Sequence, residues 1–154
     1  MRASKIEFLT KTFPEFVLKL KPNAKGKLGK LHAQQMVEHM SEYLRIASGK
    51  QKMEAVYTPE VTQKAYSFMM TEKPFRENTP NQLLHDIPPP GKHKTMDDAI
   101  AELRDEISDF FDAYSKNPGM RNVNPFFGNL NFEEQVQLLH KHATHHARQF
   151  GLVE

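Results

Sequence analysis

Four of the eight histidines in this 154-residue chain fall within one short run, His140-Lys141-His142-Ala143-Thr144-His145-His146. Residues four apart on an α-helix share a face, so the imidazoles of His142 and His146 can point at one ion, whereas His145 lies about 100° around from His146. Cysteine is absent, which removes disulfides, thiolate ligands and a cysteine nucleophile and leaves imidazole and carboxylate to hold any metal. The chemistry in view is therefore binding of a metal ion through imidazoles that share one helix face.

Two ligands do not make such a site, because an open catalytic metal usually takes three protein ligands and keeps a position for water or substrate. His39 is the best candidate for the third. It sits mid-helix beside an apolar stripe, on an element that would neighbour the last helix in a bundle. His32, one heptad earlier, points the same way from the start of that helix, while His85 and His93 lie in a proline-rich connection. With Phe132 as origin, the apolar stripe of the last helix centres near 0°, His146 falls at about 320°, His142 at about 280° and His145 at about 220°. Both His142 and His146 can therefore face the interior, and His145 is expected at its margin. Buried imidazoles need partners, and either a shared metal or hydrogen bonds to polar neighbours would supply them. Gln149, at about 260° on the same wheel, is placed either to orient a ligand or to cap and pack. His145, Glu38 and Tyr43 are close enough in sequence to stand behind the ligands, with no proton-transfer role assigned.

Spacing excludes several familiar sites. A zincin needs Glu directly after its first histidine, where this chain has Ala143. No Glu is followed three residues later by His, so the paired Glu-x-x-His ligands of diiron bundles are missing. Gly26-Lys27-Leu28-Gly29-Lys30 lacks the length and the terminal Ser or Thr of a P-loop, and there is no G-x-S-x-G elbow.

Helical patterns must position these side chains. The clearest runs from about Thr95 to Lys116, where Met96, Ile100, Leu103, Ile107, Phe110 and Tyr114 alternate gaps of four and three. Thr95 and Asp98 have capping-box spacing, and Asn117-Pro118-Gly119 ends the run. The last helix starts from Asn131 as N-cap with Glu134 at the box position. It carries Phe132, Val136, Leu139, Ala143, His146 and Phe150 on one stripe and stops at Gly151. A second helix, about Leu31 to Ser48, buries Ala33, Met36, Val37, Met40, Leu44 and Ala47, has His39 on the flank of that stripe, and ends at Gly49. The first, through Ile6, Leu9, Phe13, Phe16, Val17 and Leu20, should break at Pro14, which kinks it or starts a new helix led in by Thr12 or Phe13. A short helix opened by Thr58-Pro59-Glu60 and running through Val61, Ala65, Phe68 and Met69 interrupts a long connection. Five prolines from Pro74 to Pro90 then forbid regular structure. No strand and no repeat is expected. The fold class predicted is all-α, a four-helix bundle with one long crossover between the second and third main helices, in a single domain over residues 1–154.

Composition agrees with an ordinary domain. The formal charge of +2 makes no broadly basic surface, and the lysines Lys19, Lys21, Lys25, Lys27 and Lys30 have no interleaved aromatic residue for base stacking, so no nucleic acid is expected. Neither a signal-peptide core nor a membrane span is visible, which makes a cytoplasmic location the default.

The motif Lys141-His142-Ala143-Thr144-His145-His146-Ala147-Arg148-Gln149 resembles the C-terminal His-x-x-His-His-x-x-Gln signature of the DinB/YfiT-like superfamily, and Gln34-Gln35-Met36-Val37-Glu38-His39-Met40 resembles its other histidine motif. Asn124-Pro125-Phe126-Phe127-Gly128 is similar to a stretch found in one uncharacterised branch. A tryptophan common before the second helix in relatives is missing. The resemblance implies a four-helix bundle in which His39, His142 and His146 hold a divalent metal, the same three that the wheel selects. It further implies a metal-dependent hydrolase or a transferase of low-molecular-weight thiols acting on a small molecule, and a homodimer, for which Phe8, Phe111 or Phe127 could supply the contact. All-imidazole ligation suits Zn or Ni first, with Fe or Cu also admissible. The competing class is a non-enzymatic metal-binding or stress-associated bundle. The crossover from Gln51 to Lys94, rich in Tyr57, Tyr66, Phe68, Met69, Met70 and Phe75, is expected to fold over the metal end and select what reaches it, with Tyr66 and Phe68 as determinants of substrate preference.

Overall fold

A computed structural model describes residues 2–21, 24, 32–75 and 93–151. Among these the chain is mostly helical, with α1 (Arg2–Glu7), a π-helical turn (Phe8–Thr12), α2 (Phe13–Val17), α3 (Ala33–Ser48), α4 (Pro59–Met69), α5 (Met96–Lys116) and α6 (Phe132–Gln149). A two-stranded antiparallel hairpin, β1 (Asn122–Asn124) with β2 (Gly128–Leu130), separates the last two helices.

The break in the first helical pattern has a backbone cause. Pro14 has no N–H to give Thr10 and its ring crowds that carbonyl, so the preceding turn widens and Phe13 N–H bonds to Phe8 O, five residues back. The Thr10 hydroxyl also turns back, donating to Ile6 O at 2.9 Å. Pro14 itself then sits in the first turn of α2, where a missing N–H costs nothing.

The predicted stripes are the core. All six stripe residues of α5 and all six of α3 are buried, and they meet Leu9, Phe13 and Val17 from the N-terminal segment and Val136, Leu139, Ala143 and Ala147 from α6. The caps match the sequence signals. Thr95 accepts from Asp98 N at 3.1 Å, and Asn131 and Glu134 form a reciprocal box at 2.9 Å each way. Helix α3 starts two residues later than expected, because His32 is its N-cap. The His32 Nδ1 atom accepts from Gln35 N, while Gln35 Oε1 accepts from His32 N. At its other end Gly49 has φ +88°, and a Cβ there would lie 2.7 Å from Asn122 Oδ1, so both the backbone and the neighbour demand glycine.

One expectation fails. The absence of strands is corrected by the hairpin, whose three-residue strands are too short to show alternation; it is held by Asn124, whose Oδ1 accepts from Phe126 N and Phe127 N. Buried Asn122 fastens it to the helices, its Nδ2 donating to Ala47 O at 3.0 Å and to the Tyr114 hydroxyl at 3.2 Å. Helix α4 forms where the sequence placed it, and it buries only Met69, with Val61 exposed. Met69 joins Leu130 and Leu138 in a small second core on the far side of α6.

That second core explains why α6 is buried on more than its apolar stripe. Gln137 and Lys141 lie away from the apolar stripe, and both are buried. The irregular chain after α4 has carbonyls that no helix or strand satisfies, and α6 satisfies them from its side chains. Gln137 donates to Met69 O and Thr71 O at 3.0 Å each. The Lys141 ammonium donates to Thr71 O at 2.8 Å and also to Phe68 O and Lys73 O.

Candidate metal centre

The helical register of α6 puts His142 and His146 one turn apart on its inner side, and packing of α3 against α6 brings His39 to meet them. One ring nitrogen from each of the three lies within 4.8 Å of the other two. The His39 ring stands edge-on to both, with centroids 5.2 Å from His142 and 5.6 Å from His146. The Nε2 atoms of His142 and His146 are 2.9 Å apart. Two imidazole nitrogens at that distance cannot both present lone pairs unless something positive lies between them, either a proton on one or a cation shared by both.

The neighbours decide which nitrogen of His146 is available. Gln149 Oε1 lies 2.8 Å from His146 Nδ1, and Gln149 Nε2 lies 3.1 Å from His145 Nε2. A carboxamide oxygen only accepts and its nitrogen only donates, so with the amide in this orientation Nδ1 of His146 carries the proton and Nε2 offers its lone pair to the cluster. The same amide makes His145 Nε2 an acceptor. His145 is thus not marginal as expected: it is buried, held by Gln149 and covered by the Phe75 ring at 5.9 Å.

His39 carries the most informative atom. Its Nε2 is shut off from solvent and has no hydrogen-bond partner among the described residues. Nothing in the polar surroundings takes it up, and an orphaned buried nitrogen costs about 1–3 kcal/mol. A proton between His142 and His146 would leave that cost standing, whereas a cation held by all three removes it. The donor set fits a divalent borderline metal of the Zn, Ni, Cu or Fe kind.

Burial also prepares the rings. It pushes the pKa of His39 and of His142 well below the ordinary histidine value, with the charge of His146 acting in the same sense on both. His146 is brought down to about 4, again by burial, with the Gln149 hydrogen bond opposing. All three are neutral near pH 7, the state in which imidazole binds a metal. Among the described residues no further His, Asp or Glu joins the cluster. Three ligands without a fourth is the pattern of a site that keeps a position for water or substrate.

Aromatic rings wall the cluster. Tyr43 lies edge-on to His142 at 4.2 Å and to His39 at 4.7 Å, and Phe75 reaches His142 at 6.3 Å. Phe75 stands there because Lys141 fastens the preceding backbone, its ammonium also lying 4.7 Å from the Phe68 ring centre and 5.7 Å from that of Phe75. The described part of the crossover therefore does reach the histidine end, although His85 and most of the prolines lie outside the described residues.

The other sequence candidates are placed elsewhere. Glu38 accepts from Gln34 Nε2 and from the His93 backbone N–H, and His93 pairs with Glu102 at 2.9 Å, so both serve the junction of α3 with α5. His140 faces Phe8 on the opposite side of α6. Tyr66 hydrogen-bonds to Glu134 in the first turn of α6, two turns away from His142, and does not line the cluster. Phe68 touches it only through Phe75. Phe8, Phe111 and Phe127 are partly buried against aromatic rings of their own chain. The carbonyl cup around Lys141 went unforeseen, since a lone lysine on a helix carries no signal of what backbone will settle on it.

Comparison of the chain with family models, with curated proteins and with solved structures finds no match in any of the three. The chemistry of the cluster therefore rests on its geometry.

Proposed function

We propose that this chain is a metal-dependent enzyme of the DinB-like superfamily, a four-helix bundle in which His39, His142 and His146 hold one divalent ion, Zn or Ni before Fe or Cu. The observation that carries this is the buried, unpartnered Nε2 of His39 beside two nitrogens 2.9 Å apart. When bound, such an ion acidifies a coordinated water or thiol and polarises an electrophile. The chain's own residues do the rest. Gln149 holds His146 in the tautomer that offers Nε2, and Tyr43 and Phe75 form apolar walls that strengthen electrostatic interactions at the centre by excluding water. The reaction class is hydrolysis of a small ester or amide, or transfer of a low-molecular-weight thiol to a small electrophile. A homodimer in the cytoplasm belongs to the same proposal.

Elemental analysis of protein purified without a polyhistidine tag or added metal is the first test, and about one equivalent of a transition metal per chain is expected. The loaded protein is then assayed against thiols with small electrophiles and against hydrolysable esters and amides. Protein that emerges metal-free and takes up none on dialysis refutes the metal centre. Loaded protein that is inert across the panel leaves a non-enzymatic metal-binding module.

A further inference from the structure

We propose that the cleft between the outer face of α6 and residues 71–74 is a binding site for one tetrahedral oxyanion of the phosphate class. The cleft has a volume of about 90 Å³ and is lined by Lys73, His140, Lys141, Thr144 and Arg148 together with Glu72. That is about three times the share of liquid volume of a water molecule, enough for one such group. His140, Thr144 and Arg148 lie more than about 100° around the helix from His142, so the cleft is separate from the histidine cluster and independent of any metal there.

Three observations point to an anion. The first is unbalanced charge. Lys141 is buried, and among the described residues its ammonium donates only to the backbone carbonyls of Phe68, Thr71 and Lys73. Carbonyl dipoles solvate a cation without neutralising it. Lys73 and Arg148 add two more positive charges, and neither is paired with a carboxylate among the described residues. Among the described residues that line the cleft the one acid is Glu72, which is exposed and bonded to Lys5 at 2.7 Å. The partial charge of about −0.5 at the C-terminal end of α6 offsets only a fraction of the excess.

The second is an orphaned hydroxyl. Thr144 Oγ1 is buried with no hydrogen-bond partner, although its residue lines the cleft. A buried hydroxyl without a partner calls for one, and an oxyanion in the cleft would accept from it. The third is donor type. Arg148 is partly buried in the last turn of α6 and presents a planar fork suited to two oxygens of one phosphate, with Lys73 as a second charge.

The test is calorimetric titration of the EDTA-treated full-length protein with inorganic phosphate at low ionic strength and pH 7, repeated on protein reloaded with metal. Saturable binding of about one phosphate per chain is expected, displaced by sulfate and not by acetate at equal concentration. Arg148→Gln and Lys73→Gln should each weaken it by roughly tenfold or more, since each removes a charge-assisted contact, and Thr144→Val by a few-fold. Lys11→Gln, on an exposed part of the N-terminal segment, should leave it unchanged, and so should His146→Ala. Phenyl phosphate binding as well as the free ion identifies the site with the phosphate group of a larger ligand, and much weaker binding identifies it with the free ion. The proposal is overturned if saturable binding is absent, if Lys11→Gln weakens binding as much as Arg148→Gln, or if His146→Ala abolishes it, which would place the phosphate at the histidine cluster.

Discussion

Replacing Gln149 with leucine removes both hydrogen bonds of its carboxamide, at 2.8 Å to His146 and 3.1 Å to His145, while keeping most of the side-chain volume. His146 is fully buried, so its Nδ1 loses the acceptor that fixes it, at about 1–3 kcal/mol. His146 then has no reason to keep its proton on Nδ1. Interactions that orient a metal-binding histidine are typically worth 10–100-fold in affinity, and the variant should weaken zinc binding by about that factor, roughly 1.4–2.8 kcal/mol. Gln149→Glu separates the two bonds, because a carboxylate still accepts from His146 Nδ1 and raises the basicity of Nε2, but cannot donate to His145. It should bind zinc at least as tightly as the parent chain. Competition for zinc against a chromophoric chelator measures all three proteins. A leucine variant that keeps its helical circular dichroism and binds within twofold of the parent would refute the argument, as would a glutamate variant as weak as the leucine one.

Single replacements His39→Ala, His142→Ala and His146→Ala should each abolish stoichiometric metal in elemental analysis, whereas His145→Ala should retain it; the reverse pattern for His142 and His145 would show that α6 is read in the wrong register. Chelation should leave far-ultraviolet circular dichroism intact and lower thermal stability only by ligand linkage, about 2.7 kcal/mol at metal a hundred times above its Kd, because the core closes without the ion. Collapse of the helical signal with EDTA would make the metal structural. The metal-free protein should lose stability as pH falls from about 6.5, where unfolded histidine begins to protonate and His146, held to about 4, does not. His146 alone contributes about 2 kcal/mol to that loss by pH 5, and a urea midpoint flat between pH 7 and 5 would show that the cluster is not buried as described. Gly49→Ala should destabilise by roughly 1 kcal/mol or more, from its left-handed backbone and the contact with Asn122, and an unchanged urea midpoint would remove that account of the end of α3.

The parts legible in sequence are those written in period and caps. The stripes of α3, α5 and α6 are long enough that burial follows from spacing, and Thr95, Asn131 and Gly49 mark ends through local chemistry that needs no tertiary context. His39, His142 and His146 were legible through helical spacing too, His146 on an apolar stripe and His39 and His142 beside one. What stayed hidden depends on non-local backbone. The hairpin is too short for periodicity, and the burial of Lys141 and Gln137 follows from where the chain after α4 settles. His145 was misplaced by the same omission, since a wheel counts one apolar stripe and α6 is covered on two sides.

The two-sided burial of α6 ties these findings together. Its inner side meets the main core, which fixes the backbone at His142 and His146 through Leu139, Ala143 and Ala147. Its outer side meets the chain after α4, and the Lys141 and Gln137 bonds to that backbone set the stretch that ends in Phe75 against His142 and His145. The histidines are thus held in place by apolar contacts that need no ion, while the ring that walls them is held through the buried Lys141 cation. Because Lys141 and His142 are consecutive residues, the crossover anchor and the metal-facing side chain share one rigid turn of helix.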